Sequence, residues 1–105
     1  MNDTMRRDAI SRVGITIAID PGHGGSDPGA IANGLREKDL TLAVSLALKE
    51  ELESYDGVRV VMTRTTDTRP SENISTDLSS RVDMAAAANA DALVSIHFNS
   101  GSPIA

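Results

Sequence analysis

Eleven residues, Ile15 to Gly25, constrain this chain more than any other stretch: Ile-Thr-Ile-Ala-Ile-Asp-Pro-Gly-His-Gly-Gly. Ile15, Ile17 and Ile19 alternate with Thr16 and Ala18, which predicts a buried strand over residues 14–20. Asp20-Pro21-Gly22 stops it, because proline cannot donate to a ladder and glycine accepts backbone angles that other residues avoid. His23 follows with glycine on both sides, so no bulk keeps the backbone away from an ion or a substrate. Open α/β sheets place their ligands at such carboxyl ends of strands. A Gly-rich turn with an incidental histidine fits the same residues.

Two nucleotide-binding readings of these glycines fail on spacing. A dinucleotide fingerprint beginning at Gly22 needs a third glycine at position 27, which is Asp27. A P-loop from Gly24 reaches Gly29 but then requires Lys and Ser/Thr, where the chain has Ala30-Ile31. A metal-binding or directly catalytic role for His23 gains from both failures.

Downstream, Pro21 to Lys38 reads as a long polar loop, and loops of that length are usually functional. Asp39 is a candidate N-cap for a helix ending at Gly57, with Leu40, Ala43, Val44, Ala47, Leu48, Leu52 and Tyr55 on one apolar stripe, widened by Leu42 and Leu46. Val58 to Thr63 is a second strand and Arg64 to Ser75 a loop. A second helix is expected over Thr76 to Asn89, with Leu78, Val82, Ala85, Ala86 and Asn89 on one side. A third strand is expected over Ala92 to His97. Strand, helix, strand, helix, strand implies an α/β fold: a parallel βαβαβ core joined by right-handed crossovers, with helices covering the sheet. With 105 residues there is room for one small domain. Its core must be aliphatic, because Tyr55 and Phe98 are the aromatic residues.

The two histidines then acquire a common address. His23 lies past the end of the first strand and His97 at the end of the third. Parallel strands put both at one edge of the sheet. If the first strand is central, in the order 2-1-3, the strand order reverses between them and opens a crevice there. Glu37, just before the first helix, belongs to that same edge. Two imidazoles and a carboxylate with an open fourth position suit catalytic zinc. Two internally satisfied histidines and a surface glutamate fit the spacing as well. The absence of cysteine restricts any metal site to nitrogen and oxygen donors. A net charge of −5 argues against a nucleic-acid partner. The first twelve residues are polar and charged, and are expected to be a flexible tail rather than a signal peptide. Nothing after them is long and apolar enough to span a membrane.

Five motifs, in order, resemble the zinc-dependent N-acetylmuramoyl-L-alanine amidases, cell-wall hydrolases of bacteria and phages. They are Asp20-Pro21-Gly22-His23-Gly24-Gly25, Asp27-Pro28-Gly29-Ala30, Arg36-Glu37-Lys38-Asp39, Arg64, and Ser95-Ile96-His97-Phe98-Asn99. The resemblance runs from Ile15 to Ser100. It implies a three-layer α/β/α fold within a larger mixed sheet, with one zinc ion held by His23, Glu37 and His97. It implies hydrolysis of the amide between the lactyl group of muramic acid and L-alanine, with peptidoglycan as the partner and the cell wall (periplasmic or extracellular) as the place of action. The route of export is not encoded in the chain.

On this comparison residues 13–105 are expected to be the N-terminal portion of the catalytic domain. The family's general acid/base glutamate is expected in a further C-terminal part, and no catalytic residue is assigned here. The segment from Thr65 to Ser75 is longer than the corresponding family loop. Asp20 is a candidate either to orient a ligating imidazole from behind or to cap the turn. Arg81 either pairs with a carboxylate near the cleft, the preferred reading, or solvates a helix face. Asn99 either hydrogen-bonds substrate or supports a turn. The apolar third strand is expected to be an exposed edge and to promote self-association. Two other functions remain in view: a catalytically incomplete zinc- or wall-binding fragment, and a related zinc exopeptidase acting on free peptides.

Overall fold

The computed structural model describes residues 14–98. The tail at residues 1–12 and Asn99 lie outside them, so the expectations for both fall outside the described residues. The elements run β1 (Ile15–Pro21), β2 (Ile31–Ala32), β3 (Leu35–Arg36), α1 (Glu37–Glu53), β4 (Val58–Met62), α2 (Ile74–Ala87) and β5 (Ala92–Ile96).

β1 is central, in the order β4-β1-β5, and both pairings are parallel. This is the expected 2-1-3 arrangement. The register sets Ile19 beside Met62 and Pro21 beside Ile96, so all three strands end at one edge. The two crossovers run in opposite directions from β1 and back across it. Right-handed connections therefore place α1 and α2 on opposite faces. Asp20 reaches Arg81 of α2, and alternation along β1 turns Ile17 and Ile19 to the α1 side. Ala18, Ile19, Val60 and Ala85 form the buried apolar core.

The helix faces differ from the sequence expectation. In α1 the buried residues are Glu37, Lys38, Thr41 and Ser45. Leu48 and Leu52 are half-buried, while Ala43, Val44, Leu46 and Ala47 are exposed. The helix is turned so that Thr41 meets the strand ends, where its hydroxyl donates to the Gly22 carbonyl at 2.7 Å, and Ser45 is buried one turn further along. In α2, Asp77, Arg81 and Ala85 are buried, while Leu78 and Val82 are 60% and 56% exposed. An apolar stripe marks a face that packs somewhere, and here polar anchoring at the strand ends sets which face meets the three-stranded sheet.

Helix boundaries shift for related reasons. α1 begins at Glu37, with Arg36 as N-cap and no side-chain cap. The amides of Glu37 and Lys38 donate instead to the Ala30 and Pro28 carbonyls at 2.8 and 3.0 Å, so the loop itself satisfies the free helix donors. Asp39 sits in the first turn and pairs with Arg36 at 3.0 Å. The C-cap is Ser54; Gly57, at φ 82°, turns the chain into β4. α2 starts at Ile74 because the Asn73 side chain accepts from the Thr76 amide. The expected loop 21–38 contains the β2–β3 hairpin. Asn33 and Gly34, at φ 52° and 77°, form its two-residue turn. Asn-Gly is the preferred sequence for such a turn.

Candidate metal centre

The edge where the strands end gathers His23, Glu37 and His97, as expected. One ligand atom from each lies within 4.8 Å of the others. His23 Nε2 is 3.1 Å from Glu37 Oε1, and His97 Nδ1 is 3.5 Å from Glu37 Oε2. The imidazoles meet edge to face, with ring centres 5.1 Å apart. Glu37 is the buried hub. Its Oε1 accepts from the Ala30 amide at 3.0 Å and its Oε2 from the Phe98 amide at 2.8 Å. Burial pushes its carboxyl pKa up, but those two amides and the nearby imidazoles outweigh burial and hold it below the usual value. Glu37 is therefore an ionised, fixed donor.

Two glycines make room for the rings. A Cβ on Gly22 would stand 2.6 Å from His97 Nδ1 and 2.8 Å from the Ile96 carbonyl. A Cβ on Gly29 would stand 2.6 Å from His23 Cδ2 and 2.8 Å from Glu37 Oε1, and Gly29 has φ +68°. Gly29→Ala is expected to displace His23 from Glu37 and to cost metal affinity more than stability. Titration of metal into the variant, beside its melting curve without metal, checks this. His23 itself adopts φ 65°, a left-handed conformation costing about 1–3 kcal/mol at a non-glycine residue. The surroundings hold it there: the Arg81 guanidinium donates to the His23 carbonyl at 2.8 Å.

The three donors suit a cation. Asp27 Oδ2 lies 2.8 Å from His23 Nδ1. An ionised carboxylate can only accept, so Nδ1 carries the hydrogen. In the neutral ring the Nε2 lone pair then faces a carboxylate oxygen at 3.1 Å. Two lone pairs at that distance call for a positive charge shared between them. Beside the triad lies a cavity of about 470 Å³, lined by both histidines, Asp27, Ser26, Arg69 and Leu78 among others.

The family is now decided by comparison. Residues 17–104 match the N-acetylmuramoyl-L-alanine amidase family. The chain belongs to this family. A sporulation-specific N-acetylmuramoyl-L-alanine amidase of Bacillus subtilis (strain 168) is 49% identical over 88 residues, covering 83% of this chain and 32% of that relative. An endolysin of Bacillus phage SPP1 is 42% identical over 81 residues, covering 77% and 28%. The CwlD amidase from Clostridioides difficile, solved in complex with the GerS lipoprotein, aligns with a TM-score of 0.77 at 35% identity, covering 85% of this chain and 50% of that one. The chain thus spans about a third of those curated relatives and half of that solved structure.

Within this amidase-family fold the remaining described candidates stand apart from the cluster of His23, Glu37 and His97. Asp20 does not orient an imidazole. Its carboxylate accepts from Thr63 at 2.7 Å, Arg81 at 2.8 Å and Ser95 at 2.9 Å, because alternation along β1 points it to the α2 side. Burial pushes its pKa up, but these hydrogen bonds and the Arg81 charge outweigh burial and hold it below 3.8. A carboxyl pKa depressed by folding adds stability above its unfolded value, and that stability is lost as pH falls through the folded value. The urea midpoint is therefore expected to drop on acidification below 3.8, and less steeply in Asp20→Asn. Arg81 Nε donates to Asp77 at 3.1 Å and its Nη1 to the Pro21 carbonyl at 2.7 Å.

Three supports of the site stand within the quoted motifs, but no role for them follows from the sequence alone. Arg64 is 4% exposed and donates to the carbonyls of Pro21, Gly22, Lys38 and Thr66 at 2.9–3.1 Å. It thereby ties the His23 turn to the start of α1. The Lys38 ammonium bridges the Gly25 carbonyl and Asp67 at 2.9 and 2.8 Å. Asp67 also accepts from the Gly25 amide, and Ser26 bonds Glu72. The long 65–75 segment is thus strapped to the histidine-bearing loop. Asp27 is the third support; its place four residues after His23 was the available signal.

Proposed function

We propose that this chain carries the metal-binding part of the active site of a zinc-dependent N-acetylmuramoyl-L-alanine amidase, one that hydrolyses the amide between the lactyl group of muramic acid and L-alanine in peptidoglycan at the cell wall. The observation that carries this reading is the convergence of His23, Glu37 and His97 within 4.8 Å in a chain of this family. Zinc fits the two nitrogens and one carboxylate, and when bound it supplies Lewis-acid polarisation of the substrate carbonyl and a more acidic water. The protein's share is to hold three donors in place: Glu37 through the Ala30 and Phe98 amides, His23 through its carbonyl and Nδ1, and His97 against Gly22. The cavity beside them admits the substrate.

Proton transfer has no assigned group among the described residues. The Asp20 carboxylate is taken by three hydrogen bonds and Asp27 by His23. The general acid/base is proposed to come from outside them. The 105-residue chain should therefore bind zinc yet release peptide slowly, since such a group contributes about 10²–10⁴-fold in rate. Zinc stoichiometry and release of stem peptides from purified peptidoglycan test the proposal. Zinc uptake without turnover, also in a chain extended to the length of its curated relatives, leaves a wall- or metal-binding fragment as the function. Release of amino acids from free peptides, with peptidoglycan untouched, makes it an exopeptidase.

β5 pairs with β1 on one side and has no strand on its other side among the described residues. Ala92 to Ser95 are exposed, and such an edge is a template for further strands. No helix among the described residues is long and apolar enough to cross a membrane. The chain is expected to self-associate through β5, with a concentration-dependent mass in light scattering that Val94→Lys reduces. A monodisperse monomer at every concentration refutes this.

A further inference from the structure

We propose that Asp27 is the positioning residue that makes His23 a metal donor, by holding the hydrogen of its ring on Nδ1 and presenting Nε2 to Glu37 and His97. The role rests on the amidase reading for its purpose, though not for its geometry. Asp27 Oδ2 stands 2.8 Å from Nδ1, on the opposite side of the ring from Glu37. The carboxylate is itself fixed. Its Oδ1 accepts from the Gly29 amide at 3.1 Å, and its backbone exchanges two hydrogen bonds with Gly24 at 2.8 and 2.9 Å. The short loop from His23 to Asp27 is thereby closed twice, once through backbone and once through side chains. A ring held only by packing can turn over or shift its hydrogen. A ring with a fixed acceptor behind it keeps one nitrogen free to bind a cation, and such partners also raise the donor strength of the imidazole.

The second histidine shows the contrast. His97 is 49% exposed at its side chain, against 25% for His23. Among the described residues no carboxylate stands behind its ring, and the carboxylate it meets is Glu37. His23 is therefore the preset donor of the pair, and His97 the one that settles when the ion arrives.

Asp27→Asn separates this role from simple turn closure. Its Oδ1 can still accept from the Gly29 amide, so a turn-closing role survives. That orientation places the side-chain NH₂ against Nδ1, where it donates and moves the ring hydrogen to Nε2, facing Glu37. Asp27→Ala loses both contacts. The expected order of zinc affinity, measured by competition with a chelator, is wild type above both variants by about 10–100-fold, with Asp27→Asn no tighter than Asp27→Ala. Imidazole ¹⁵N shifts of the metal-free chain give the second readout. Nδ1 of His23 carries hydrogen in the wild type and loses it in Asp27→Asn. Wild-type zinc affinity in Asp27→Asn overturns the proposal, as does an Nδ1 without hydrogen in the wild type. A wild type that keeps its Nδ1 hydrogen, loses it in Asp27→Asn and takes up no zinc refutes the zinc reading and upholds the role of Asp27.

Discussion

Zinc uptake is expected to disappear in a His23→Ala/His97→Ala double variant and to be strongly weakened by Glu37→Ala. Three donors within 4.8 Å can share one ion; with both imidazoles gone, a single carboxylate remains. Glu37 is the charged member, and it also serves the protein without metal. Its loss leaves the part-buried Ala30 and Phe98 amides without their acceptors, at about 0.5–1.5 kcal/mol for each hydrogen bond lost. Glu37→Ala should therefore lower both metal affinity and metal-free stability, whereas the double histidine variant should lower chiefly the first. Glu37→Gln keeps an acceptor but no charge, and should fall between wild type and Glu37→Ala in both. Stoichiometric zinc bound at the same place by the double histidine variant would falsify the ligand assignment.

Arg81→Met is expected to prevent stable folding. The guanidinium, buried in α2, joins Asp20 of β1 and Asp77 of its own helix to the carbonyls of Pro21 and His23. Arg69 also approaches Asp77, at 3.4 Å, but among the described residues no second cation forms an ion pair with Asp20, and Arg64 acts on it through its charge alone. Removing one partner of a buried pair costs about 3–5 kcal/mol, because the other charge stays behind in a dry place. That is a large part of the roughly 5–15 kcal/mol that holds a domain together. Arg81→Lys should recover only part of it, since one ammonium cannot fork between two carboxylates and two carbonyls. Urea unfolding measures the loss. A midpoint for Arg81→Met close to that of the wild type would show that the network is dispensable.

Much of the site was legible because strand ends carry chemistry in a predictable place. Alternating isoleucines fixed β1, and a parallel βαβαβ order put whatever follows β1 and β5 at one edge. His23, His97 and the start of α1 then had to be neighbours, whatever the details of packing. The Asn33-Gly34 turn is equally local in its chemistry, yet with strands of two residues on either side of it the stretch 21–38 reads as a loop. The extent of α1 was less so: its first donors are satisfied by Pro28 and Ala30, residues of a loop rather than a capping side chain, and no N-cap pattern marks that.

What the sequence could not decide were choices made between distant segments. Asp20 and Asp27 are both aspartates beside His23, and either is a chemically suitable partner for its ring. Only the pleat of β1 sends Asp20 across the sheet to Arg81, and only the closure of the 23–27 loop brings Asp27 behind Nδ1. The helix stripes failed for the same reason. Period and hydropathy select an apolar side of α1 and α2, but Thr41 and Arg81 are the residues whose hydroxyl and charge reach the carbonyls and the carboxylate where β1 ends. Hydrophobic pattern is a property of one helix alone, whereas a buried hydrogen bond is a property of two segments at once. Its energy appears only after the chain has brought them together.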